Sequence, residues 1–355
     1  MAERYLILGD GIAGATAAVT LRKHTDDPIT ILTDEGEPLY NRVAIKDFAK
    51  GNAAEEKVKI HDLAFYDKNN VELHLHTQAR NIDDQNKVVI TEDRRQFPYT
   101  KLLIATGGTP KRLPVPGNDA EGIHKFWTFV DARHLRADAL ANAGKPGIAI
   151  GAGLLGIDIA VVLGVNGVKC NYLMRGNRWW REGISKAGSE IVEKALAEKG
   201  VACVFHQTPV AFEHDAAGRV AGVRTESGEL FPCSIAGVAV GLNMNTRILA
   251  GTRIKRGEGV LTDSFLQTSV PDVYAAGDIV QFYDVIAERI AMHGSWANAK
   301  KSGEVAALNM LGQNVEYRFV DTYSINHFDF MVGSVGNVLG ESDIERKYSD
   351  TDYKR

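Results

Sequence analysis

The chain of 355 residues contains few cysteines and no recognisable cysteine motif. Its three cysteines, Cys170, Cys203 and Cys233, form no C-x-x-C pair, and each lies in an apolar run typical of a strand. This pattern favours buried, reduced thiols over redox-active ones. We therefore expect neither a thiol-based reaction nor a metal site.

Concentrated charge of one sign is also absent. The chain has 41 Lys and Arg against 45 Asp and Glu, giving a formal net charge of −4. Because it has no polybasic block, nucleic acid is not an expected partner.

Long hydrophobic runs are missing as well. No uncharged apolar stretch is long enough to cross a bilayer, and the first predicted strand begins within a few residues of Met1. We therefore expect no membrane segment and no signal peptide, and a cytoplasmic location. A chain of this length exceeds one ordinary core, which predicts two or three domains.

One glycine pattern, G-x-G-x-x-G, occurs twice, at residues 9–14 (the first glycine turn) and 151–156 (the second glycine turn). Each copy follows a short apolar run and precedes an apolar stretch of helical character. In this setting the glycines allow a tight turn, and the helix N-terminus can hold a pyrophosphate. Two copies predict that the chain binds two dinucleotides. The candidate ligands are Gly9, Gly11, Ala13 and Gly14 in the first turn, and Gly151, Gly153, Leu154, Leu155 and Gly156 in the second.

Alternating strands and helices predict an α/β fold with two Rossmann-like, three-layer nucleotide-binding domains. Prolines at residues 110–117 mark a linker, and after about residue 245 the pattern returns to that of the first domain. One domain is therefore expected to be inserted in the other. The first would comprise residues 1–113 and 245–320, and the second residues 114–244.

Two further segments resemble the flavin motifs of the FAD-dependent pyridine nucleotide-disulphide oxidoreductase family. They are residues 99–108, Tyr-Thr-Lys-Leu-Leu-Ile-Ala-Thr-Gly-Gly, and residues 268–278, Thr-Ser-Val-Pro-Asp-Val-Tyr-Ala-Ala-Gly-Asp. They flank the second glycine turn, so the resemblance covers nearly the whole chain. It implies that the first domain binds FAD and the inserted domain binds NADPH or NADH.

The resemblance also implies roles for individual residues. Asp278 would accept hydrogen bonds from the ribityl or phosphate side of FAD. Thr106 and Gly107 would form the crossover beside the flavin domain, and Trp296 and Asn298 would lie near the isoalloxazine. The remaining residues assigned to cofactor binding are Arg42, Ala79, Ala105, Gly241 and Gly277.

Residues 38–46 resemble a segment of the rubredoxin and ferredoxin reductases and of the flavin region of nitrite reductases. The match implies that Lys46 is the lysine on the flavin side and also binds the cofactor. Asp158 stands where this branch has a glutamate, and we predict that it forms a catalytic pair with Lys46 beside the flavin N5. The alternative is an ordinary acid that complements a helix dipole.

Charged residues after the second strand of each strand–helix unit indicate which nucleotide that unit binds. Asp34 and Glu35 lie where a carboxylate would bind the adenosine ribose, although a solvated acidic turn is the alternative. In the second unit Met174 takes that place, and Arg175 and Arg178 follow. Arginines at this point suit the 2′-phosphate of NADPH, so we predict that NADPH is used at least as well as NADH.

Disulfide reductases of the family carry a redox-active cysteine pair after the first glycine turn, but here no cysteine precedes Cys170. The flavin is therefore expected to pass electrons directly to an acceptor. We predict an NAD(P)H oxidoreductase that serves a small iron–sulfur or rubredoxin-type protein. The alternatives are an NAD(P)H oxidase or small-acceptor reductase, and a non-enzymatic nucleotide-sensing flavoprotein.

The family normally adds a C-terminal, largely antiparallel domain that often forms a dimer interface. Residues 321–355 resemble only its first strands, over residues 323–338, and are predicted to be a shortened α+β version of it. Two or three strands cannot bury a core alone. We expect this segment to dock on the FAD domain or on a neighbouring subunit, so a homodimer is one possible state.

Overall fold

The computed structural model describes residues 2–180 and 183–336. In chain order the described elements are β1 (Tyr5–Leu8), α1 (Ile12–Arg22), β2 (Ile29–Leu32), α2 (Ile45–Ala49), α3 (Leu63–Lys68), β3 (Val71–His74), β4 (Ala79–Asp83), β5 (Val88–Thr91), β6 (Gln96–Pro98), β7 (Lys101–Ile104), β8 (Gly108–Pro110), β9 (Ile123–His124), α4 (Phe129–Ala141), β10 (Pro146–Ile150), α5 (Leu154–Val165), β11 (Lys169–Leu173), α6 (Lys186–Ala197), β12 (Val201–Val204), β13 (Pro209–His214), β14 (Val220–Thr225), β15 (Leu230–Pro232), β16 (Ile235–Val238), β17 (Leu242–Met244), β18 (Val260–Thr262), β19 (Val273–Ala275), β20 (Val280–Asp284), β21 (Arg289–Ala291), α7 (Trp296–Met310), β22 (Thr322–Ile325) and β23 (Val332–Val335). Short 3-10 turns lie at Glu55–Lys57, Thr246–Leu249 and Gly277–Ile279.

The chain divides into two compact units. The first contains the chain up to Asn41, Glu56–Thr109 and Asn243–Asp321. The second contains Arg42–Glu55, Pro110–Leu242 and the described residues from Thr322 onward.

The helix α2 belongs to the second unit, although the predicted first domain included its residues. Two contacts explain this grouping. The side-chain amide of Asn166 donates to the carbonyl of Ala49 at 2.9 Å, and the Phe48 ring meets the Phe129 ring edge to face at 5.2 Å. The division into compact units does not test where nucleotides bind. The bounds predicted for the two nucleotide-binding domains therefore stay a prediction.

The first unit is built on a five-stranded parallel sheet of order β19-β7-β1-β2-β3. The central strand β1 is buried along its whole length, which suits its continuous apolar run, Tyr-Leu-Ile-Leu. An antiparallel sheet of β4, β5 and β6 adds Ile82 and Val89 to the same core. The helices α1 and α7 pack closely, since a Cβ at Gly303 would lie 2.2 Å from the Ala13 carbonyl oxygen.

The second unit repeats this plan. Its five-stranded parallel sheet has the order β12-β11-β10-β16-β9, with β10 at the centre. The helix α5 follows β10 and is buried almost continuously from Ile157 to Leu163. A separate antiparallel sheet is formed by β13, β14 and β15. The α/β class predicted from the sequence is confirmed.

The strands β22 and β23 form an antiparallel hairpin, with Thr322 opposite Val335. Docking of this segment on the FAD domain or on a neighbouring subunit stays a prediction. The hairpin belongs to the second unit because the buried His327, between its strands, bonds to Asp158 of α5. The rest of the predicted segment, residues 337–355, lies outside the described residues.

Candidate functional site: two glycine turns and a buried charge cluster

The first glycine turn connects β1 to α1. It requires glycine at the positions where a backbone carbonyl lies too close for a side chain. Gly9 has a φ of 106°, and a Cβ there would lie 2.4 Å from the Ala105 carbonyl oxygen. A Cβ at Gly14 would lie 1.9 Å from the Gly9 carbonyl oxygen. At Gly11, the N-cap of α1, an added Cβ would meet no atom within 4 Å. The start of the helix therefore faces open space, as a pyrophosphate site requires.

The second glycine turn repeats this geometry between β10 and α5. Gly151 has a φ of 120°, and a Cβ there would lie 2.0 Å from the Ala239 carbonyl oxygen. A Cβ at Gly156 would lie 1.9 Å from the Gly151 carbonyl oxygen. Gly153, the N-cap of α5, again faces open space, and Leu154 and Leu155 form the first positions of the helix.

A buried acid occupies the first glycine turn, and the sequence reasoning missed its importance. Asp10 is 6% exposed, and both of its carboxylate oxygens accept from the Tyr66 hydroxyl, at 2.8 and 2.9 Å. Burial raises the pKa of Asp10 to about 7, despite the lowering effect of the Tyr66 hydrogen bond. An acid between two turn glycines was the available signal, but Tyr66 is 56 residues away.

The two ribose candidates after β2 differ in their surroundings. Glu35 accepts a hydrogen bond from the Tyr40 hydroxyl at 2.5 Å. Asp34 is exposed. The exposed position suits a carboxylate that meets a ligand from solvent.

The ends of β7 and β19, which are neighbouring parallel strands, bring together several predicted flavin residues. Ala105 and Thr106 follow β7, and the Thr106 hydroxyl is buried without a protein hydrogen-bond partner among the described residues. The Gly107 carbonyl accepts from the Asn245 backbone amide at 3.0 Å. After β19, the Gly277 amide donates to the Ser302 hydroxyl at 2.9 Å, and the half-buried Asp278 follows.

Trp296 begins α7 and is half-buried, while Asn298 is fully buried. The Asn298 amide donates to the His293 carbonyl and accepts from the Tyr317 hydroxyl, both at 2.5 Å. His293 lies between Asp321 at 3.3 Å and Asp284 at 3.2 Å. The Asp321 hydrogen bond is the main reason that the pKa of His293 is raised. Asn298 and His293 thus serve the internal hydrogen-bond network at this helix start.

Three other predicted cofactor residues lie apart from the glycine turns in sequence. Ala79 is the half-buried first residue of β4. The Arg42 guanidinium donates to the Trp127 carbonyl at 2.6 Å and lies over that indole ring, 4.8 Å from its centre. Gly241 has a φ of 100°, and its carbonyl accepts from the Lys111 amide at 2.9 Å.

Lys46 of α2 and Asp158 of α5 meet, as the sequence predicts. The Lys46 ammonium nitrogen lies 3.8 Å from the Asp158 Oδ1 atom. A third residue that the sequence reasoning missed is closer, because the His327 Nε2 atom lies 2.5 Å from the same oxygen. The catalytic role predicted for the pair is not tested by this geometry.

The loop after β11 carries the residues predicted to select the coenzyme. Met174 is fully buried, Arg175 is exposed and Arg178 is half-buried. The Trp180 amide donates to the Ala152 carbonyl at 3.1 Å, which ties this loop to the second glycine turn. An exposed arginine therefore follows the strand on which a ribose-binding acid would be expected.

Residues 3–303 match the family described as pyridine nucleotide-disulphide oxidoreductase. The chain belongs to this family. That confirms the resemblance drawn from the flavin motifs. The pyridine nucleotide-disulphide oxidoreductases related to this chain use FAD and NAD(P)H.

Individual relatives carry electron-transfer names. The chain is 27% identical over 282 residues to the assimilatory nitrate reductase electron transfer subunit of Bacillus subtilis (strain 168), covering 79% of this chain and 36% of that protein. It therefore spans about a third of that relative's length. It is 29% identical to the NADH-rubredoxin oxidoreductase of Clostridium acetobutylicum, covering 88% of this chain and 76% of that protein. The crystal structure of NADH:rubredoxin oxidoreductase from C. acetobutylicum matches with a TM-score of 0.82 at 26% identity, over 99% of this chain and 86% of that one.

The residues of the first unit fit the FAD that this family uses. Open space in front of Gly11 would receive the pyrophosphate, and the buried Thr106 hydroxyl lacks a protein partner among the described residues. The second unit offers the equivalent space at Gly153 for NAD(P)H. No helix within the described ranges combines the length and apolarity needed to span a membrane.

Proposed function

We propose that this chain is an FAD-dependent NAD(P)H oxidoreductase that passes electrons to a small iron–sulfur or rubredoxin-type protein. The observation that carries the proposal is the duplicated glycine turn, found at the central strand of two separate five-stranded parallel sheets. Two such turns suit one enzyme that binds both a flavin and a nicotinamide dinucleotide. Family membership and the electron-transfer names of the relatives support the same reaction class.

Each unit would hold one nucleotide through its own residues. In the first unit the glycine turn would bind the FAD pyrophosphate, Asp34 the ribose, and Thr106 and Asp278 the flavin half. In the second unit the glycine turn would bind the NAD(P)H pyrophosphate, and Arg175 and Arg178 the 2′-phosphate. When bound, the flavin accepts a hydride and releases single electrons.

The chain's own task is positioning and protection. Lys46 and Asp158 are largely buried, with side-chain exposures of 7% and 15%. A buried ion pair keeps a fixed polar environment with little water, which suits a reacting nicotinamide and flavin. We propose that this pair orients the reacting rings.

Direct transfer from flavin to acceptor is favoured because the thiols are poorly suited to carry electrons. Burial raises the pKa of Cys203 and of Cys233 to about 12 and raises that of Cys170 further. A thiol that stays protonated is a weak nucleophile. None of the three is part of a disulfide in the structure.

The decisive experiment is a set of electron-transfer assays on the purified, flavin-loaded protein. Heat release should yield FAD, and anaerobic NADPH should bleach the flavin. Reoxidation should be fast with a rubredoxin or a ferredoxin and slow with oxygen. Rapid oxygen consumption with slow protein reduction would favour the oxidase. Slow turnover with every acceptor would favour a nucleotide sensor, and colourless protein that binds no FAD would refute the proposal.

A further inference from the structure

Four buried or largely buried side chains from three separate segments of the second unit form a charge cluster. Lys46 and Lys50 come from the α2 segment, Asp158 from α5, and His327 from the hairpin between β22 and β23. Their side-chain exposures are 7%, 7%, 15% and 0%, respectively. Buried ionisable groups must be paired, so the contacts among the four decide what each can do.

The shortest contact of the Asp158 carboxylate is with His327, not with Lys46. The His327 Nε2 atom lies 2.5 Å from Asp158 Oδ1, within hydrogen-bond distance. The Lys46 ammonium lies 3.8 Å from that oxygen, which is an ion pair but too long for a direct hydrogen bond. His327 supplies the hydrogen bond that the lysine does not.

Lys50 approaches the other ring nitrogen of His327. Its ammonium lies 3.5 Å from the His327 Nδ1 atom and 2.9 Å from Asp47 Oδ1. A lysine ammonium can only donate hydrogen bonds, so Nδ1 accepts from it. With a donor facing Nδ1, the Nε2 atom is the one placed to donate to the Asp158 carboxylate. A hydrogen-bonded chain runs from Lys50 through His327 to the carboxylate that faces Lys46.

We propose that His327 is a positioning residue that fixes the Asp158 carboxylate against Lys46 for the nicotinamide–flavin reaction. The inference rests on the proposed function, because it assumes that the Lys46–Asp158 pair serves that reaction. Without the imidazole, one side of a largely buried carboxylate loses its hydrogen bond, and the carboxylate turns toward other donors. Misplacement of a catalytic group by about 1 Å lowers a rate by about a hundredfold.

The kinetic test compares two variants at this position. His327→Leu removes both hydrogen bonds, whereas His327→Gln keeps one N–H donor and one acceptor. We expect His327→Leu to slow flavin reduction at saturating NADPH by about ten- to a hundredfold, with little change in KM, and His327→Gln to recover most of the rate. A matched control is His124→Leu, because His124 Nε2 pairs with Asp138 at 2.7 Å in the same unit. The control should reduce its flavin at the normal rate.

Folded, FAD-loaded His327→Leu protein that is reduced at the wild-type rate would overturn the proposal. If that variant does not fold, His327→Asn takes its place, since its shorter amide cannot reach both partners, and the same loss of rate is expected. A wild-type rate in His327→Asn would equally overturn the proposal.

A spectroscopic test does not depend on activity. Nitrogen-15 NMR of histidine-labelled wild-type protein should show a protonated, hydrogen-bonded Nε2 in His327, and Asp158→Asn should shift that Nε2 resonance. An Nδ1–H tautomer or an unchanged resonance would contradict the arrangement. If no nicotinamide nucleotide reduces the wild-type flavin, the proposed function fails, while the NMR result still decides the His327 contact.

Discussion

The two units share one backbone arrangement, a strand–glycine turn–helix segment, and differ in the side chains around it. In both, the strand before the glycine turn lies at the centre of a five-stranded parallel sheet, and the turn leads from it into a helix whose start faces open space. The first turn contains the buried Asp10, where the second has Ala152. After the next strand, the first unit presents Asp34 and the second presents Arg175. The comparison indicates that the shared backbone geometry suits a dinucleotide in each unit, and we expect the neighbouring charges to select which dinucleotide binds.

The largest expected effect comes from filling the crowded glycine position of one turn only. Gly156→Ala places a Cβ 1.9 Å from the Gly151 carbonyl oxygen, so the second turn must deform. We expect loss of NADPH binding with FAD retained, whereas Gly14→Ala should release FAD. Nucleotide titration and the flavin absorbance measure the two effects separately.

Gly153→Ala is the control for deformation of the turn, because its added Cβ meets no protein atom within 4 Å and the turn can keep its shape. Its thermal stability should equal that of the wild type, while a pyrophosphate at this helix start would be crowded and NADPH affinity should fall. Unchanged affinity in Gly153→Ala would show that the phosphate lies elsewhere.

The second prediction concerns the acid found in only one turn. Asp10 has a pKa near 7 in the folded chain against 3.8 when unfolded, so the folded state retains a proton that the unfolded state loses as pH rises. Its contribution to the free energy of unfolding should therefore fall by about 4 kcal/mol between pH 4 and pH 8. Asp10→Asn keeps an acceptor for Tyr66 and should abolish this loss.

The measurement is the melting temperature of FAD-loaded wild type and Asp10→Asn at several pH values. The melting temperature of Asp10→Asn, relative to that of the wild type, should increase as pH rises from 4 to 8. Asp83→Asn is a suitable control, because the half-buried Asp83 ends β4 and hydrogen bonds from Asn86 lower its pKa, so it titrates below this pH range. Parallel pH curves for Asp10→Asn and the wild type would mean that Asp10 titrates at its ordinary pKa.

A smaller effect is expected from the charge that distinguishes the coenzyme sites. Arg175→Glu should raise the KM for NADPH about tenfold relative to that for NADH, because one charge-assisted contact to the 2′-phosphate is worth about 1–3 kcal/mol. Steady-state kinetics with both coenzymes measure the ratio. Arg224→Glu, on the exposed part of β14 in the same unit, should leave the ratio unchanged. A native preference for NADH that Arg175→Glu does not alter would remove the argument for NADPH.

Local pattern was enough to predict the glycine turns and the α/β class, because each turn lies within one strand–turn–helix segment. Resemblance to the family brought Lys46 and Asp158 together, although 112 residues separate them in the numbering. The contacts of His327 with Asp158, and of Tyr66 with Asp10, have no local signal. They join residues 169 and 56 positions apart, and only tertiary packing brings them together. The same reason explains why α2 was expected in the first unit although it packs in the second.

The smallest expected effect tests whether electrons pass directly from the flavin to the acceptor or through a thiol. Replacing Cys170, Cys203 and Cys233 together with alanine should leave flavin reduction and transfer to the protein acceptor unchanged. Burial keeps these thiols protonated, with raised pKa values, and they form no disulfide in the structure. Some stability should be lost, because small voids replace the sulfur atoms of buried strands. Stopped-flow kinetics of both half-reactions on folded, FAD-loaded protein measure the effect. If the second half-reaction slows while the first stays normal, a thiol carries electrons beyond the flavin, and direct transfer is wrong.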